Sequence, residues 1–108
     1  MPQIKIRGVE LKEICLISSE LIDDLENIIN CPRSYFTIEQ LPSTFVSEGK
    51  VIIGYPFVEV SWFDRGQETQ DKVALSITKF IKSLGHENVD VIFTSLKQND
   101  YYENGEHF

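Results

Sequence analysis

A chain of 108 residues with 17 Asp and Glu against 10 Lys and Arg has the length of one globular domain. Its net charge of −7 repels phosphate backbones and anionic lipid, which argues against nucleic acid and membrane surfaces as partners. A composition of 42% hydrophobic and 25% charged residues with four prolines and six glycines excludes a linker or a disordered tail.

Residues Gln3–Arg7 alternate Gln, Ile, Lys, Ile, Arg, the period of a strand with one buried and one polar face. From Leu11 to Ile29 the apolar Leu11, Ile14, Ile17, Leu21, Leu25, Ile28 and Ile29 recur three or four apart and line one face of a helix. Its wet face takes the acids Glu10, Glu13, Glu20, Asp23, Asp24 and Glu26. Asn30 and Pro32 stop it. A second strand is predicted over 35–41, with Phe36 and Ile38 on one side and Tyr35, Thr37 and Glu39 on the other, ended by Pro42. A polar loop through Ser43, Ser47, Glu48 and Gly49 follows, with a short strand at 51–53.

A third strand over 57–63 puts Val58, Val60 and Trp62 on one face and Glu59 and Ser61 on the other. A second helix over about 69–84 aligns Val73, Ile77, Phe80, Ile81 and Leu84, and Gly85 suits its C-terminal cap. Residues 89–96 form the fourth main strand, and 97–108 a polar, aromatic tail. Strand, long helix, strand is thus followed by the same plan, in halves 2–41 and 55–96 of one domain, 1–108. The fold class is α/β of the α+β kind: two consecutive β-α-β units forming a four-stranded sheet with two helices on one face. The open face would carry Lys5, Arg7, Thr37, Glu39, Glu59 and Ser61, with Lys5 and Arg7 pairing the two acids. Such a face permits self-association.

Cys15 and Cys31 follow no secretory segment and have no metal-ligand spacing with His86 or His107; the longest apolar run is far short of the ~20 residues of a membrane span. The expected setting is the cytoplasm, with reduced thiols and no metal. His86 reads as a solvated loop residue, and His107 reaches a pocket only if the tail folds back.

Pro2 directly follows the initiator methionine. Trimming of Met1 would turn its nitrogen into a secondary amine, and an apolar pocket lowers the pKa of such an amine below the ordinary ~8, leaving a base near neutrality. Pro2 at the start of the first strand, Pro32 shortly before Tyr35 at the first helix-to-strand junction, two matched halves and an aromatic tail ending in Phe108 together resemble the tautomerase superfamily. The likeness spans the whole chain and is greatest to the longer-chain branch that includes macrophage migration inhibitory factor and carboxymethyl-hydroxymuconate isomerase, and within it to an uncharacterised bacterial group.

The resemblance implies a homotrimer with sites between subunits and a cofactor-free proton transfer on a small keto-enol substrate, with Pro2 as the base. Arg65, after the third strand, is the first choice to steady an enolate oxygen or grip a substrate carboxylate, with Arg33 and Arg7 behind it. Tyr35, Tyr101 and Phe108 fall where the family places aromatic pocket walls; ordinary packing is their alternative role. Active relatives often carry a lysine near the end of the first helix, where this chain has Asn30 or Cys31. Cys31 itself reads as an incidental thiol. The alternative function is a non-catalytic oligomeric binding or structural module that keeps the fold.

Overall fold

A computed structural model describes residues 2–107. Strand β1 (Gln3–Arg7) buries Ile4 and Ile6 and turns Gln3, Lys5 and Arg7 to the other face, as alternation requires. Helix α1 (Leu11–Ile29) buries Ile14, Ile17, Leu21, Leu25 and Ile29 on one stripe. It ends where Asn30 adopts a left-handed conformation (φ 61°) and donates its N–H to the Glu26 carbonyl at 2.8 Å. A 3-10 turn, Arg33–Tyr35, leads into β2 (Thr37–Gln40), and a hairpin of β3 (Phe45–Ser47) and β4 (Lys50–Ile52) follows. Next come β5 (Phe57–Trp62), α2 (Gln67–Lys82) and β6 (Asp90–Ser95). A 3-10 turn at Gln98–Asp100 and a small hairpin, β7 (Tyr102–Glu103) with β8 (Glu106–His107), complete the described chain.

The main sheet has the order β2-β1-β5-β6. Each half supplies one parallel pair, and β1 and β5 join the halves antiparallel, with Lys5 opposite Glu59. Both helices lie on one face, as the repeated plan predicts. The core joins Ile4, Ile6, Val58, Val60 and Trp62 of the sheet to the α1 stripe and to Val73, Ile77 and Ile81 of α2. Each such large side chain contributes roughly 1.5–3 kcal/mol by leaving water. One polar link crosses between the helices, where the buried Ser76 hydroxyl donates to the Asp24 carboxylate. No helix of the described residues is long and apolar enough to cross a membrane.

Four local features depart from the sequence expectations. The second strand starts at Thr37 instead of residue 35, because the N–H groups of Tyr35 and Phe36 close a tight turn on the Pro32 and Arg33 carbonyls. The polar loop is a hairpin turning through Glu48 and Gly49, both at positive φ. Helix α2 starts at Gln67, behind an Asp64 carboxylate that accepts the Gly66 N–H at 2.9 Å. His86 is not a solvated loop residue: its side chain is 26% exposed and stands against Glu13.

Candidate active site

The register brings Pro2, Tyr35, Arg65 and the start of the tail to one end of the sheet. Pro2 precedes β1 and is fully buried, and its carbonyl accepts the Thr37 N–H at 3.1 Å, which ties it to the start of β2. Because β5 runs antiparallel to β1, with Gln3 opposite Ser61, the turn after β5 that carries Phe63, Asp64 and Arg65 leaves the sheet at the same end. Strand β6 runs parallel to β5, so Leu96, whose N–H bonds the Trp62 carbonyl at 2.7 Å, and the tail emerge there as well. The turn from α1 to β2, the turn from β5 to α2 and the start of the tail thereby lie at the end of the sheet that holds Pro2.

Tyr101 is half-buried and packs its ring on Phe63 at a centroid distance of 5.5 Å, so the start of the tail folds back onto the β5 turn. Tyr35 closes the 3-10 turn with 40% of its surface exposed, leaving an aromatic face toward solvent at this end. Arg65 is exposed, and its charge reaches Cys31: burial pushes the Cys31 thiol up, while the Arg65 guanidinium pulls it back down. Cys31, set aside in the sequence as an incidental thiol, thus shares the electrostatic surroundings of the predicted anion-binding residue. Its place directly after the helix stop and one residue before Pro32 was the available signal.

Arg33 lies at the same end of the chain path, but its guanidinium is turned along α1, paired with Asp23, 3.9 Å from Glu26 and bonded to the Ser19 carbonyl at 3.1 Å. Arg7 is at the far end of β1 and pairs with Glu59 at 2.8 Å on the open face, the pairing the sequence favours, while its guanidinium sits 5.3 Å from the Phe57 ring centre. Phe108 lies outside the described residues. The Trp62 indole, next to the site at the end of β5, is fully buried with its N–H unpartnered among the described residues. No group of three or more His, Cys, Asp or Glu among the described residues is placed to hold a metal ion. The exposed Arg65 guanidinium and the ring faces of Tyr35 and Tyr101 at this end are groups of the kind that hold an anionic, partly apolar small molecule.

The model of a family described as a domain of unknown function, DUF1904, matches residues 1–107. The chain belongs to the DUF1904 family. A crystal structure of a DUF1904 domain from Sebaldella termitidis is 40% identical, with a TM-score of 0.94 and both chains covered over 100% of their length. Beyond this family the likeness is one of fold. A macrophage migration inhibitory factor-like protein from Entamoeba histolytica superposes with a TM-score of 0.76 at 19% identity, over 99% of this chain and 98% of that one. A fused 4-OT asymmetric trimer superposes with a TM-score of 0.76 at 13% identity, over 97% of this chain and 94% of that one. This DUF1904 chain therefore has a tautomerase-like fold. No curated protein matches it in sequence.

Proposed function

We propose that this DUF1904 protein is a cofactor-free tautomerase or isomerase acting on a small keto-enol substrate that bears a carboxylate. Once Met1 is removed, the Pro2 amine takes a proton from the carbon next to the substrate carbonyl and returns it at the other end of the enol system. A C–H bond is exchanged for an O–H bond while the π bond shifts from C=O to C=C, and no co-reactant is required. The observation that carries this reading is the complete burial of Pro2 at the start of a central strand in a tautomerase-like fold. An amine in those surroundings is disfavoured in its charged form and stays basic near neutrality.

In this reading Arg65 grips the substrate carboxylate or the enolate oxygen, and Tyr35, Tyr101 and Phe108 form the walls. Arg33 would have to give up its bonds to α1 to take part, so the anion-binding role rests on Arg65. The working form is a homotrimer in the cytoplasm, each site completed by a neighbouring subunit; the trimer named among the fold relatives and the open polar sheet face support this. The branch assignment, a bacterial group near the longer-chain tautomerases, belongs to the same proposal.

A second reading has one specific observation in its favour: where the resemblance calls for a lysine near the end of the first helix, this chain has Asn30 as a helix cap and Cys31 half-buried. That arrangement suits a non-catalytic module. The two readings separate in an assay of ketonisation of an aryl-substituted enolpyruvate, followed by loss of enol absorbance, with chain that begins at Pro2. The enzyme reading expects turnover that falls by ~100-fold or more in Pro2→Ala, since a positioned base contributes 10²–10⁴. It also expects a lower kcat/KM in Arg65→Ala. Absence of turnover across enolisable 2-oxo acids contradicts it.

A further inference from the structure

The end of the sheet opposite Pro2 carries a cleft of about 440 Å3 that the reading above does not use. Four segments converge on it: the β1–α1 turn and first turn of α1 with Glu10 and Glu13, the end of β2 with Gln40 and Leu41, the exit of the hairpin at Ile53, and His86 before β6. Its volume falls within the range of small-molecule sites. The walls are fixed by packing. A Cβ on Gly8, at φ +81°, would stand 2.2 Å from the Tyr55 carbonyl oxygen, and one on Gly54 would stand 2.2 Å from the Phe45 ring.

The polar lining is one-sided. Two carboxylates, Glu10 and Glu13, face a cleft to which no lysine or arginine contributes. The Glu13 side chain is only 27% exposed, yet the nearest basic atom, His86 Nε2, stands 3.5 Å from Glu13 Oε2 without a hydrogen bond. Gln40 spends its amide N–H on the Val9 carbonyl at 3.1 Å, which leaves its amide oxygen as an acceptor. A half-buried carboxylate without a hydrogen-bonded cation loses free energy that a bound cation would restore. The first turn of α1 favours both carboxylates through its dipole, and its lysine, Lys12, is exposed and outside the cleft lining. Leu41, Pro42 and Ile53 line the rest with hydrocarbon.

We infer that this cleft binds a small organic cation, a primary ammonium or guanidinium group on a short apolar chain, held by the Glu13 and Glu10 carboxylates with Gln40 as a further acceptor. The acidic lining rejects the carboxylate-bearing substrates proposed for the Pro2 end, so the two sites take ligands of opposite charge. A metal ion is the poorer occupant, since no set of three ligating side chains is in place among the described residues.

The test is an amide-resolved NMR titration of the full chain with n-butylammonium and with agmatine, using butyrate and zinc chloride as comparison ligands. The amines are expected to shift the resonances of Gly8, Val9, Glu13, Gly54 and His86 with a Kd on the order of a millimolar. Glu13→Gln should weaken binding about tenfold, the effect of losing one hydrogen bond to a charged group. Glu10→Gln, at an exposed position, should weaken it less without disturbing the fold, and Arg65→Ala should leave it unchanged. Cleft shifts of equal size with butyrate, tighter binding of zinc at the same residues, no shifts with either amine, or unaltered amine binding in both glutamine variants would each overturn the inference.

Discussion

Burial holds the Cys31 thiol in its neutral form against the pull of Arg65. Because folding raises this pKa above its ordinary 9.0, the thiol's contribution to stability is complete below that value and is lost as pH rises through the higher folded one. Urea unfolding is therefore expected to show stability falling above about pH 9 less steeply in Cys31→Ala than in the parent chain. Equal slopes would show that Cys31 is not held neutral by the fold. Exposed Cys15 should react with iodoacetamide first, with Cys31 following slowly. That Pro2 directly precedes β1 and Arg65 closely follows β5 was legible in the sequence, because the ends of those two strands were. The surroundings of Cys31 and His86 were not: one depends on a turn after β5 and the other on the first turn of α1, and contacts between distant segments leave no local pattern.

Helix α1 was legible to both ends because its period and its stop signals agree, with the apolar stripe ending at Ile29 and Asn30 taking the left-handed cap. Of the hairpin of β3 and β4 only a short strand overlapping β4 was legible, since strands of three residues carry few alternations and Glu48–Gly49 lacks the usual Asn-Gly or Asp-Gly turn. In the tail that signal was present: Asn104 and Gly105, at φ 54° and 83°, turn β7 into β8, and His107 stacks on Tyr102 at 4.4 Å. The contact between α1 and α2 contains the Ser76–Asp24 hydrogen bond, although the sequence reads Asp24 only as part of the wet face of α1. Ser76→Ala should lower stability by about 1–2 kcal/mol, since a hydrogen bond to a charged group is lost from a site that is partly solvated on the Asp24 side. A shift of the urea midpoint at unchanged m-value would show this, and no shift would mean that the bond is replaced by water at no cost.

The antiparallel join of β1 and β5 puts a polar, half-buried surface across the middle of the sheet, with Lys5 between Glu39 and Glu59 and Arg7 bonded to Glu59. Charges paired in this way can be covered by another copy without leaving any of them unmatched. Light scattering on the eluted protein is expected to give three times the 12.4 kDa chain mass. Ser61→Arg, which adds a third cation to this face, should lower that mass; a monomeric parent would remove the proposed shared sites. The proposal depends most on the state of Pro2. Intact mass together with titration of the terminal amine by its reactivity against pH tests this. The account predicts a chain that begins at Pro2 with an amine pKa well below the ordinary ~8. A retained Met1 in the native protein, or an amine that titrates like any exposed one, would contradict it.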